Sequence, residues 1–536
     1  MSRSRTSLRG LPPALLIPLL AALACGGGAP RPRELVDIYR PESERVRAGA
    51  SSVIFVPGVM GSVLRHADDE QVVWGAVWDR DESDEELLRD LALPYDPQGP
   101  LASIEDELVP GGQLLLVELD IRIAAVRARG YPGVFEGIVQ ALGDAGAHDR
   151  RPRAISKEDL EEGRNPIIGF GYDWRHDLSA EARRLHEVVL AASRAREEAT
   201  GTRRVDLVGH SMGSQLVRYY LRYGPTPLPE EGPLPPVTWE GARLVRRAIL
   251  LGPPNRGEAQ AVQVLAEGVS VNPMLPHYPA AMTASFVSGY QLLPRPGEGR
   301  VVYEDGEDVD FFDVALWERY GWGPFHPEQD ENLQLLMPDA ETREERVALV
   351  RRHMARYLAH GRRFQEALDR PAAPPPELGF HVAVGDTIDT NAVLEVNRET
   401  GELSWGESAP GDGTVTRTSG LAQLHQVPHA APTVYPDSVH FVDATHIGMT
   451  ADPDLINHML YLLLQAPDPA GLPATAGGEV ELRGEEVRGE EVEPVGSPGS
   501  PPTDADSEDA GEPGSGEAAD ATGGAAPPTS TAAAGS

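Results

Sequence analysis

Gly209-His-Ser-Met-Gly213 joins two segments of opposite periodicity. Before it, Arg204-Val-Asp-Leu-Val-Gly209 is a short apolar run with β-branched residues, the pattern of a buried strand. After it, Met212 to Tyr223 repeats with helical period. A strand that becomes a helix within so few residues must turn sharply. The flanking positions then need glycine, because a Cβ there would clash. The serine between them is forced into a strained conformation with its hydroxyl exposed. The helix start aims backbone N–H groups at any negative charge that develops nearby. Ser211 is therefore a candidate nucleophile and the Met212 N–H a candidate oxyanion donor. The strand before and the helix after separate this pattern from an ordinary Gly-Ser turn.

Further short apolar runs are strand candidates: Ser52 to Pro57, Pro166 to Phe170, Arg247 to Gly252, Phe380 to Val384 and Ser438 to Val442. Helical period recurs in Ala180 to Thr200 and Arg343 to Leu368. Such alternation predicts a mostly parallel sheet with helices on both faces. With the serine elbow, it predicts an α/β-hydrolase fold over residues 49–466. Residues 253–378 are too long for one crossover and read as an inserted cap or lid. Residues 67–112 read as a second excursion, holding Trp74, Trp78 and the acidic run Asp79 to Glu86.

A serine hydroxyl is a weak nucleophile and needs a base, usually a histidine oriented by a carboxylate. In this fold the chain order is serine, acid, histidine. Gly411-Asp-Gly-Thr-Val415 sets Asp412 in a tight turn from which a carboxylate can reach inward. Asp386, after the strand ending at Val384, is the alternative acid. His446 follows the last strand candidate and is the expected base. His440 lies within that strand, where it can simply pack. His425 and His429 fall in a Pro-rich loop. Pro57-Gly-Val-Met-Gly-Ser62 follows the first strand, and there the Val59 N–H is the second candidate oxyanion donor. No metal or organic cofactor is required by this set.

The chain carries a formal net charge of −36. That argues against nucleic acid as a partner and against electrostatic adhesion to an anionic membrane. Cys25 is the only cysteine, which excludes an intramolecular disulfide and a Cys-rich metal site. Arg3, Arg5 and Arg9 precede an apolar run from Leu11 to Ala24, so residues 1–24 read as an export signal. Leu20 to Cys25, Leu-Ala-Ala-Leu-Ala-Cys, resembles the lipobox of bacterial lipoproteins, with Ala22 where Leu is commonest. The expectation is an exported bacterial protein, lipid-anchored to the cell envelope through Cys25; the alternative is plain secretion. Residues 25–48 read as a tether. Residues 467–536 are rich in Gly, Ala, Pro, Ser, Thr and Glu and read as an acidic disordered tail.

Pro57-Gly-Val-Met-Gly-Ser62, Gly171-Tyr-Asp-Trp-Arg175, Gly209-His-Ser-Met-Gly-Ser214, Leu251-Gly-Pro-Pro-Asn-Arg-Gly257, Gly411-Asp-Gly-Thr-Val415 and His446 occur in that order. Together they resemble the lecithin:cholesterol acyltransferase and lysosomal phospholipase A2 family, over roughly residues 53–464. The resemblance implies an α/β-hydrolase core with a cap and a membrane-contacting region. It implies acyl-ester cleavage of lipids at a membrane or lipid-aggregate surface, with the acyl group passed to water or an alcohol. It places Ser211, Asp412 and His446 as nucleophile, acid and base, and Val59 and Met212 at the oxyanion. Asp173 and Trp174 fall near the site without an assigned role. The chain departs from the animal members in lacking their cysteine pair. A carboxylesterase for small soluble esters, an inactive lipid-binding lipoprotein and a peptidase stay open as other readings.

Overall fold

The computed structural model describes residues 52–75, 83–113, 167–200, 204–270, 277–423, 434–467 and 469. Cys25, Trp78, His425, His429, the tether and nearly all of the acidic tail lie outside them. In chain order the elements used below are β1 (Val53–Val56), β2 (Ser62–His66), β3 (Val72–Trp74), α1 (Asp84–Leu91), β4 (Leu108–Gln113) and β5 (Ile167–Gly169). Next come α2 (Leu178–Thr200), β6 (Val205–His210), α3 (Met212–Tyr223), β7 (Val245–Leu251), α4 (Arg343–Asp369) and β8 (Gly379–Gly385). The chain ends its described course with β9 (Ile388–Asn391), β10 (Ser408–Gly411), β11 (Ser438–Val442) and α5 (Pro453–Leu464).

Six strands form one sheet in the order β11–β8–β7–β6–β1–β5, and every pairing in it is parallel. Side chains alternate across a strand, and the core divides accordingly. Ile54, Val56, Leu207, Ala248, Leu250 and Val382 belong to one cluster, with Leu185 of α2, Leu216 of α3 and Tyr357 of α4. Val53, Phe55, Val208, Ile249, Leu251 and Ala383 belong to a second cluster, closed by Leu455 and Met459 of α5. Burial on both faces explains why the central strands read as unbroken apolar runs.

The stretch between β7 and β8 shares the main core. Leu265, Tyr290, Trp317 and Phe364 lie in the same cluster as the sheet residues. Its long helix, α4, starts at a capping box in which Thr342 and Glu345 satisfy each other's backbone N–H groups. It runs beside α3, where the Tyr223 hydroxyl donates to the Ala367 carbonyl at 2.7 Å. The excursion after β1 forms a small antiparallel sheet, β3–β2–β4, with α1 between β3 and β4 in the chain. Trp74 is buried in it, edge-on to Trp174 with ring centroids 5.4 Å apart. Among the described residues, no helix is long and apolar enough to cross a membrane.

Candidate active site

Ser211 sits between β6 and α3 with φ 51° and ψ −125°, a left-handed conformation that a non-glycine residue adopts only under constraint. The constraint is visible on both sides. A Cβ on Gly213 would lie 2.3 Å from the carbonyl oxygens of Val56 and Pro57. A Cβ on Gly209 would lie 2.9 Å from the Ser214 Cα. The first turn of α3 thus presses directly on the end of β1. The Ser214 hydroxyl closes the elbow by donating to the Gly209 carbonyl at 2.8 Å, and the Ser211 N–H donates to the Leu251 carbonyl at 2.9 Å.

Because α3 begins against Val56 and Pro57, the loop carrying Val59 adjoins the elbow. Val59 is 41 % exposed at the tip of a turn closed by the Gly61 N–H on the Gly58 carbonyl. Three aromatic side chains fix that loop. The Tyr172 hydroxyl donates to the Pro57 carbonyl at 2.9 Å, Trp174 Nε1 to the Ser62 carbonyl at 3.3 Å, and Trp74 Nε1 to the Met60 carbonyl at 2.9 Å. Two of the three, Tyr172 and Trp174, come from the Gly-Tyr-Asp-Trp-Arg segment. Asp173 in turn binds the Arg175 guanidinium, which also donates to the Leu91 carbonyl. Burial alone would push the Asp173 carboxyl up; His176 and Arg175 beside it outweigh that and hold it at about 2.

Asp412 ends the β9–β10 hairpin and is 1 % exposed. Its Oδ1 accepts the N–H groups of Thr414 at 2.9 Å and Val415 at 2.7 Å. Its Oδ2 lies 2.8 Å from Nδ1 of His446, and the His446 N–H donates to the Asp412 carbonyl at 2.8 Å. Burial would raise the Asp412 carboxyl, but His446 and the two backbone donors hold it below the usual range. Gly252, at φ 52°, passes close by: a Cβ there would lie 3.1 Å from both Asp412 Oδ2 and His446 Nδ1. The end of β7 therefore adjoins both halves: Leu251 accepts from Ser211, and Gly252 lies beside the acid–base pair. His446 Nε2 is buried and makes no hydrogen bond among the described residues, to Ser211 Oγ included.

The carboxylate on His446 is that of Asp412, not Asp386. His440 stacks on His458 of α5 at 4.5 Å between centroids, and its ring serves packing. One residue the sequence did not single out is His210, the buried neighbour of the serine. Its Nε2 lies 3.0 Å from the His446 carbonyl oxygen. A candidate cation cluster, Asp106, Asp173 and His176, brings its ligand atoms within 4.8 Å of one another. Arg175 already bonds both carboxylates and supplies the positive charge there.

A parallel sheet, a strained serine where β6 meets α3, and a buried acid–histidine pair delivered later in the chain define an α/β-hydrolase. Residues 161–353 match the family model described as lecithin:cholesterol acyltransferase. It is 26 % identical over 196 residues to lecithin-cholesterol acyltransferase-like 4 of Arabidopsis thaliana, covering 34 % of this chain and 32 % of the relative. The chain thus matches about a third of that relative's length. Among solved structures it resembles a chain of the Tle4–Tli4 complex, with 15 % identity, 77 % and 99 % coverage of this chain and that one, and a TM-score of 0.44. It also resembles an acetylester hydrolase from Corynebacterium glutamicum, with 12 % identity, 78 % and 86 % coverage, and a TM-score of 0.22.

Proposed function

We propose that this protein is a serine-dependent hydrolase or acyltransferase of lipid acyl esters, working through an acyl-enzyme on Ser211. The observation that carries the reading is the Asp412–His446 pair at 2.8 Å, tied through the β7 turn to a strained serine elbow. The match to the lecithin:cholesterol acyltransferase family supports lipid esters as the substrate class.

In this mechanism Ser211 Oγ attacks the ester carbonyl carbon as His446 Nε2 takes the hydroxyl proton. Asp412 fixes the tautomer with hydrogen on Nδ1 and stabilises the imidazolium. The N–H groups of Val59 and Met212 receive the oxyanion. The carbon–oxygen bond to the alcohol then breaks, and that oxygen takes the proton from His446. Water or an acceptor alcohol repeats the sequence on the acyl-enzyme, giving a free acid or a new ester.

Full-length protein and its Ser211→Ala variant, mixed with phospholipid vesicles with and without a long-chain alcohol, test the reading. Free fatty acid or alkyl ester from the wild type alone supports it. Cleavage of short soluble esters with no lipid product would replace it with a carboxylesterase. The lipobox-like Leu20 to Cys25 extends the proposal to the cell: export and lipid anchoring at Cys25 predict incorporation of labelled fatty acid that Cys25→Ala abolishes.

A further inference from the structure

His446 is held on three sides, and only one of these bonds reaches the nucleophile's strand. Its N–H and its Nδ1 both bond to Asp412. Its carbonyl accepts the hydrogen of His210 Nε2 at 3.0 Å. His210 is the last residue of β6 and the chain neighbour of Ser211. Its side chain is 1 % exposed, and its ring lies 4.8 Å from that of His446. A carbonyl oxygen can only accept, so His210 must carry its hydrogen on Nε2. We infer that His210 is a positioning residue, a fixed donor that sets the distance between the acid–base pair and the serine elbow.

Two features suit it to that role. A reacting base must stand within about 3 Å of the proton it takes, and a misplacement of about 1 Å costs on the order of 100-fold in rate. One bond runs from the residue beside the nucleophile to the base's own backbone and links the two directly. Second, the donor sits where a charge on it is disfavoured. Burial, and His446 beside it, push the His210 ring down to about 3. It is therefore neutral near neutral pH and adds no charge beside His446.

The inference rests on the hydrolase reading for its kinetic test, and a spectroscopic test keeps the two separable. His210→Phe removes the donor, and His210→Gln keeps an N–H at similar reach. With a short soluble ester, His210→Phe is expected to lower kcat about 10- to 100-fold with KM within a factor of two. It should slow the reaction of Ser211 with a fluorophosphonate by a like factor. His210→Gln, equally stable by thermal unfolding, should recover most of both rates. Unchanged kcat in His210→Phe, or an equal loss in a well-folded His210→Gln, would overturn the inference. In proton NMR the deshielded Nδ1 hydrogen of the Asp412–His446 pair, identified by its loss in Asp412→Asn, should shift and exchange faster in His210→Phe. A wild type inert to the fluorophosphonate would sink the hydrolase reading alone. The inference would then stand or fall on that resonance, and no change in it would refute the role.

Discussion

At the scale of the residue, Asp412 carries the sharpest expectation. It accepts two backbone N–H groups and the imidazole from one buried carboxylate. Asp412→Asn keeps the shape but offers an amide hydrogen where His446 Nδ1 needs an acceptor, so the wrong tautomer follows. A loss of kcat on the order of 10⁴-fold is expected in steady-state assays. The same carboxyl gives a signed pH effect. Its folded value lies below the unfolded one of about 3.9, so its contribution to stability is present above that value and lost as pH falls through the folded one. Acidification from neutral pH should thus shrink the stability gap between wild type and Asp412→Asn in urea titrations. The candidates Ser211 and His446 were legible at the ends of strand candidates, and Asp412 in its glycine-flanked turn. His210 was not: its partner is a main-chain oxygen 236 residues away, which leaves no mark on the sequence.

Elements explain why the elbow tolerates so little change. A methyl group on Gly213 would meet two carbonyl oxygens at 2.3 Å, and both belong to backbone that cannot step aside cheaply. Gly213→Ala is expected to lower the unfolding midpoint by several degrees and abolish fluorophosphonate labelling of Ser211. The loop opposite is held by gentler means. Tyr172→Phe removes one buried hydrogen bond and should cost about 1 kcal/mol in chemical denaturation. If the Val59 N–H meets the oxyanion, that variant should also lose kcat more than KM. All six sheet strands were visible as apolar runs and the long helices as periodic ones; the central strands read so because they are buried on both faces, while the edge strand β11 is half exposed. The hairpin that delivers Asp412 was not visible. Its strands read Ile-Asp-Thr-Asn and Ser-Ala-Pro-Gly, and their pairing is set by backbone register rather than by apolar alternation.

Over the whole molecule, the inserted stretch and the sheet domain are joined by buried charge. His360 of α4 stands 3.1 Å from Asp177, next to the start of α2, and both side chains are almost fully enclosed. Burial would push the His360 ring down, but Asp177 outweighs it and holds the ring above its usual value. The pair therefore stabilises the fold fully below the unfolded histidine value of about 6.5, and the gain is lost as pH rises through the folded value. Thermal unfolding of the wild type should show that decline on the alkaline side, and His360→Gln should flatten it. The insertion was legible as a length anomaly, but its share in the main core was not, since long-range packing has no local signature. The order of assembly has one more consequence. The sheet places β11 at one edge, and the segment from Asp412 to His446 is among the last of the described chain to be made. On the proposed mechanism, a chain that stops before His446 would carry Ser211 without its base. On that mechanism, the length of chain that forms the serine elbow and the length that completes the site are separate stretches of the sequence.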